Sequence, residues 1–132
     1  MIEAVGFRDA EALAVAYLRE RLGSAEIYTA TRIPTPRRAR MVKVTRTGGI
    51  RRDEVTDVPQ LTIECWDLDD ADAYDLARLT RAYLWALPGS EPHGHLVRWV
   101  DEIGGPTYLE DPDTSLPRYQ FTVAVEIRGE VI

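Results

Sequence analysis

From Arg118 to Arg128 the chain reads RYQFTVAVEIR, with Tyr119, Phe121, Val123, Val125 and Ile127 on alternate positions. Successive side chains of a strand point to opposite faces, so these five share one face. A strand built this way requires a second layer over its apolar side. Two segments of helical period can supply it. In the first, Asp9 is placed to cap a helix, Glu11 complements the positive helix end, and Ala10, Leu13, Ala14, Tyr17, Leu18 and Leu22 recur at helical spacing up to a stop at Gly23. The second runs from about Asp70 to Leu87, with Ala73, Leu76, Ala77, Thr80, Tyr83, Leu84 and Leu87 on one face and Pro88-Gly89 behind it.

Between the helices the periodicity is that of strands. Ala25 to Thr31 is short and rich in β-formers, and Pro34 and Pro36 force an extended loop after it. From Arg38 to Thr47, Ala39, Met41, Lys43 and Thr45 face one way and Val42, Val44 and Arg46 the other, ending at the turn signal Thr47-Gly48-Gly49. Gln60 to Trp66 is the returning arm of this hairpin, with Leu61, Ile63 and Cys65 alternating with Thr62, Glu64 and Trp66. The intervening GIRRDEVTDV predicts a long, charged hairpin loop, well beyond the usual two to five residues. Gly94 to Ile103 is a further strand. The order predicts one α+β domain over residues 1–132: a mainly antiparallel sheet, two helices packed on one face, and an extended β-hairpin.

At 132 residues the chain is long enough to bury roughly two thirds of its unfolded surface around one core. Apolar content of 45% with 29% charged residues, and no apolar run of the roughly 18 residues that a membrane span needs, predict a soluble protein. The opening MIEAVGFRDAEALAVAYL has no basic start followed by an apolar core, so neither a secretory signal nor a transit peptide is expected. Cys65, the only cysteine, has no partner for a disulfide.

The net charge of −6 hides a pattern. Arg32, Arg37, Arg38, Arg40, Lys43, Arg46, Arg51 and Arg52 form a run without an acid; Asp53, Glu54, Asp57, Glu64, Asp67, Asp69, Asp70, Asp72 and Asp75 form the next, without Lys or Arg. The first run could bind nucleic acid through Arg37, Arg38 and Arg40, although no aromatic residues are interleaved with it as stacking platforms and Lys43 and Arg46 fall on opposite strand faces. Alternatively it docks on an acidic surface of a second copy. If the two runs lie on different sides of the molecule, such a contact is head-to-tail and can close a ring.

The acid-rich CWDLDDADAYD fails as an EF-hand loop: counted from Asp67, the sixth position is Asp72 where a glycine is required. Helix-start chemistry accounts for it better, with Asp67 or Asp69 as cap, Asp70 and Asp72 on the positive helix end, and Asp75 paired with Arg78. Capping leaves an excess among Asp67, Asp69, Asp70 and Asp72. His93 and His95 lack further ligands at metal-site spacing, Cys65 falls on an inward register, and no phosphate loop, dinucleotide fingerprint or nucleophile elbow is present. No catalytic, cofactor or metal site is predicted.

The chain as a whole resembles the tail terminator, or tail-completion, proteins of long-tailed bacteriophages. The resemblance rests on FRDAEALAVAYLRERLG, TATRIPTPRRARMVKVTRTGG, VPQLTIECWD leading into ADAYDLARLTRAYLWAL, and PDTSLPRYQFTVAVEIRG, which in order and spacing cover nearly the whole sequence. It implies a structural virion protein without catalytic residues or cofactor: a hexameric ring on the head-proximal end of the tail tube that stops tube polymerisation and provides the surface for head-tail joining. Its partners would be further copies of itself, the tail tube protein, a head-closure or connector protein, and phage DNA passing through the lumen unbound; it would assemble in the host cytoplasm and reside in the virion neck. Head-closure and connector proteins of similar size share much of the pattern. Arg46, Thr47, Gly48 and Gly49 match the family's Arg-x-Gly-Gly strand end, which marks this hairpin, with Arg51 and Arg52, as an assembly contact. The aspartates at the start of the second helix are candidates for an opposing subunit surface or an acidic lumen.

Overall fold

The computed structural model describes residues 3–23 and 25–132; the first two residues of the N-terminal stretch considered above lie outside them. The elements are β1 (Val5–Gly6), α1 (Ala10–Leu22), β2 (Tyr28–Ala30), β3 (Met41–Asp53), β4 (Thr56–Trp66), α2 (Asp70–Trp85), β5 (Val97–Tyr108), β6 (Arg118–Arg128) and β7 (Glu130–Val131). Both helices start where side-chain chemistry allows. Asp9 accepts the Ala12 N–H at 3.1 Å and Asp69 accepts the Asp72 N–H at 2.8 Å, each supplying a partner for a backbone donor that the helix itself leaves unpaired. α1 stops at Gly23, whose N–H returns to the Arg19 carbonyl at 3.1 Å.

Five strands form one sheet in the order β2-β3-β4-β6-β5, and β1 pairs with β7 separately. Among the described residues β2 and β3 pair in parallel and the other strand pairs are antiparallel, giving an α+β architecture. Val42, Val44, Leu61, Ile63, Cys65, Phe121, Val123, Val125 and Ile127 line the inner face, and their alternation with Lys43, Thr62, Glu64 and Gln120 matches the cross-strand register. α1 packs over β2, β3 and β4 and α2 over β4, β6 and β5, while the two helices touch through a bond from the Tyr17 hydroxyl to the Tyr83 carbonyl at 2.7 Å. At about 1.5–3 kcal/mol for each large apolar side chain fully buried, this layer outweighs exposed ion pairs worth at most about 1 kcal/mol apiece.

The hairpin departs from the sequence expectation. Strand β3 does not end at Thr47-Gly48-Gly49 but continues to Asp53, and β4 starts at Thr56 instead of Gln60, so the expected ten-residue loop is nearly all ladder. The glycines serve as a bulge: Arg46 pairs with Leu61 and Gly48 with Gln60, leaving Thr47 as the extra residue. Gly49 has φ +91°, and a Cβ there would lie 2.1 Å from the Val58 carbonyl oxygen, so the partner strand passes too close for any side chain. The tip is also tethered, since the Gly129 N–H donates to the Val55 carbonyl at 2.8 Å.

β5 is the second departure, running from Val97 to Tyr108 and not from Gly94 to Ile103. Residues 87–97 fold back behind α2 instead of extending: the Ser90 N–H bonds the Leu87 carbonyl at 2.9 Å and the Gly89 N–H bonds that of Gly94 at 3.0 Å. His93-Gly94-His95 therefore lies in a turn. The sequence expectation of an α2 end at Leu87 is two residues long, with the last helical residue at Trp85 and Ala86 as its cap.

Candidate functional site

The basic and acidic runs are not placed on different sides of the molecule. Their central parts are the two arms of one hairpin, and Arg40, Lys43 and Arg46 of the first run pair with carboxylates of the second. Lys43 stands opposite Glu64 with Nζ 3.8 Å from Oε1, Arg46 reaches Asp57 at 3.2 Å, and Arg40 bonds the buried Asp67 at 2.9 Å. Arg52 extends over the outer sheet face to Glu126 on β6, with two bonds of 2.8 and 3.2 Å. Arg51 donates to the Asp53 and Glu54 carbonyls of its own turn, and Arg46 donates to the Gly48 carbonyl. The side chains of Arg46 and Arg51 thus satisfy backbone carbonyls of the bulge and the hairpin turn. The bond to Asp67 comes first among the causes that raise the Arg40 pKa.

Arg37 belongs to a different cluster. Its guanidinium pairs with Asp111, which is 4% exposed, and sits 5.3 Å above the ring of Trp66. Trp66 Nε1 donates to the same Asp111 carboxylate at 2.8 Å, the Asp113 N–H donates to its other oxygen at 2.9 Å, and the Arg118 guanidinium lies 5.9 Å from the centre of the Trp66 ring. Burial alone would raise the Asp111 pKa, but the bonds from Asp113 and Trp66 and the charges of Arg37 and Arg118 outweigh it and hold the carboxyl below its ordinary value. Nothing in the sequence reading singled out Asp111. The available signal was Trp66: a strand register that turns Cys65 inward turns Trp66 outward, and an outward tryptophan needs a cover.

What remains unpaired defines the candidate surfaces. Among the described residues, Arg32, Arg38 and Arg51 of the basic run make no ion pair, and Arg38 lies 5.9 Å above the Tyr28 ring. Asp69, Asp70 and Asp72 of the acidic run are likewise exposed and without an ion pair among the described residues. The charge of Asp69 is the leading cause that raises the Asp72 pKa, followed by partial desolvation and with Asp67 contributing; Arg40 opposes it. Asp69 is the α2 cap, and Asp67 is not. Asp69→Ala should lower stability by about 1 kcal/mol, measured as a shift in the urea unfolding midpoint, while Asp70→Ala should change it far less.

The remaining polar candidates stand apart. His95 Nδ1 lies 2.9 Å from the Pro92 carbonyl, while His93 Nε2 is 3.2 Å from Glu20 Oε1 without hydrogen-bond geometry. Among the described residues no group of three or more His, Cys, Asp or Glu is arranged to hold a metal ion, and no helix is long and apolar enough to cross a membrane. Cys65 is fully buried on the inner face, and burial pushes its thiol up to about 12. The sequence matches no protein-family model and no curated protein.

Proposed function

We propose that this chain is a structural virion protein, a tail terminator that forms a homo-oligomeric ring, most simply a hexamer, on the head-proximal end of a phage tail tube. The observation that carries this reading is the correspondence between the resemblance and the element order. The quoted segments become α1, β2 with the first part of β3, β4 leading into α2, and β6, so the pattern coincides with the helices and hairpin of the fold. The charge arrangement also supports it over a nucleic-acid-binding module. Arg37, Arg40, Lys43, Arg46 and Arg52 are already engaged by carboxylates of the same chain, which reduces the positive potential available to a phosphate backbone.

Purified protein viewed by negative-stain microscopy and weighed by native mass spectrometry should form six-fold rings, alone or on isolated tail-tube ends. Protein that stays monomeric at every concentration and never binds tube ends would overturn the reading. Salt-dependent DNA binding that vanishes on neutralising Arg37, Arg38 and Arg40 would favour the nucleic-acid module instead. Reversal of Arg51 and Arg52 is a poor test of assembly, because Arg52 holds Glu126 and Arg51 holds its own turn.

A further inference from the structure

We propose that the open edge of β3, in line with β2, is a strand-addition site: it takes an extended, acid-bearing peptide segment of another protein, and the Glu11 carboxylate holds the place of that segment in the isolated chain. The inference goes beyond the ring reading and does not depend on it. β2 pairs with β3 from Met41 to Lys43, whereas β3 runs on to Asp53, and among the described residues no other strand lies beside it on that side. The Tyr28 N–H bonds the Arg40 carbonyl at 3.1 Å, and the backbone groups of a strand turn alternately to its two neighbours, so Val42, Val44 and Arg46 direct theirs toward the β2 side. Arg46 lies past the end of β2. Its N–H is met by a side chain instead, since Glu11 in the first turn of α1 accepts it through Oε2 at 2.6 Å. That carboxylate oxygen stands where a longer neighbouring strand would present a carbonyl.

The surroundings of this edge select what the segment carries. Beyond β2, Thr31, Arg32 and Ile33 border a slot whose other side is formed by Glu11, Lys43 and Thr45. Lys43 and Thr45 share the helix-free face of β3; Lys43 is held by Glu64 at no closer than 3.8 Å, and Arg32 is exposed and without an ion pair among the described residues. The Thr45 hydroxyl has no hydrogen-bond partner. Two cations beside an unfilled strand edge suit an incoming backbone that bears a carboxylate on the helix-free face, with main-chain bonds giving affinity and side chains giving choice. Further along β3, Ile50 is 75% exposed and offers the same segment an apolar contact. A phosphate backbone fits less well, because it brings no strand register and Glu11 sets a negative charge at the edge N–H.

The probe is an end-blocked peptide, Thr-Asp-Thr-Val-Thr-Val-Thr, titrated at low salt into the isotope-labelled chain and followed through the backbone amide signals. The amides of Val44 and Arg46 should shift and exchange more slowly with solvent, those of the outer edge of β5 should not, and a peptide with Lys in place of Asp should bind roughly fivefold more weakly. Glu11→Ala frees the Arg46 N–H and should tighten binding about threefold, while Arg32→Glu should loosen it by roughly the same factor. Thermal melts establish that both variants are folded. Absence of a shift at Arg46, equal binding of the two peptides, or a Glu11→Ala protein that binds no more tightly would overturn the proposal, as would an oligothymidylate that perturbs these amides where the peptide does not. Protection of the same amides in self-associated protein without peptide would assign the edge to a second copy and overturn it as well. Ring formation on tube ends is decided separately, by microscopy and native mass spectrometry.

Discussion

Asp111→Ala should destabilise the protein by on the order of 3 kcal/mol, the largest loss expected from any single polar substitution here. The carboxylate is the shared acceptor of the Trp66 indole N–H, the Arg37 guanidinium and the Asp113 N–H, so its removal leaves the buried indole N–H and its neighbours short of a partner. Arg37 is a quarter exposed and can recover some solvation, which keeps the estimate below the upper end for fully buried pairs. Asp111→Asn retains an acceptor for the indole and should cost less. Urea unfolding followed by tryptophan fluorescence separates the three proteins, and equal midpoints for all of them would refute the role of Asp111.

The same cluster predicts a pH dependence with a definite sign. The folded-state pKa of Asp111 lies below its ordinary 3.8, despite burial, because its hydrogen bonds and neighbouring arginines favour the charged form. The folded state therefore holds this proton less tightly than the unfolded chain does. Its stabilising contribution is present above the unfolded value and is lost as pH falls through the folded one. Urea midpoints should fall between pH 5 and pH 3, values chosen to bracket roughly the ordinary carboxylate range. Asp111→Asn should show a shallower fall over the same interval.

Gly49→Val should cost on the order of 2–3 kcal/mol through backbone conformation and close approach together. The residue has φ +91°, and the added Cβ would meet the Val58 carbonyl oxygen at 2.1 Å with the Gln60 nitrogen at 2.7 Å, atoms of the partner strand that cannot swing aside. Gly23→Ala provides the control: φ is +79° but nothing lies within 4 Å, so only the conformational penalty, on the order of 1–3 kcal/mol, applies, without the added clash. Thermal melts should therefore rank Gly49→Val below Gly23→Ala. The reverse order would mean that the β3–β4 bulge can relax. In the ring reading, Gly49→Val should also impair assembly by disturbing the hairpin, whereas Gly23→Ala should leave it intact.

Much of the local structure was legible before any tertiary information. Asp9 and Asp69 announce helix starts because a carboxylate can accept a backbone N–H that the first turn leaves free, and Gly23 announces a stop. The alternation in β6 and in Gln60–Trp66 identified the inner face correctly, including the burial of Cys65 and the outward turn of Trp66. Gly48-Gly49 misled because a double glycine serves equally well in a turn or where a partner backbone comes close, and only the partner strand distinguishes them. The charge runs misled for a similar reason: sequence adjacency showed two opposite blocks but not that hairpin register sets Lys43 against Glu64.

The sequence by itself determined the elements, their caps and their apolar faces, because these depend on chemistry within a few residues and on fixed periods of 3.6 and 2. Only the tertiary structure decided which charges are left over. Asp111 reaches Trp66 and Arg37 across 45 and 74 positions of chain, and Arg52 reaches Glu126 across 74. Such pairings depend on sheet order and strand register, which bring distant residues within 3–4 Å for reasons that no local pattern encodes. Subtracting the ion pairs leaves, among the described residues, Arg32, Arg38, Arg51, Glu54, Asp69, Asp70 and Asp72, a smaller set than the seventeen charged residues of the two runs.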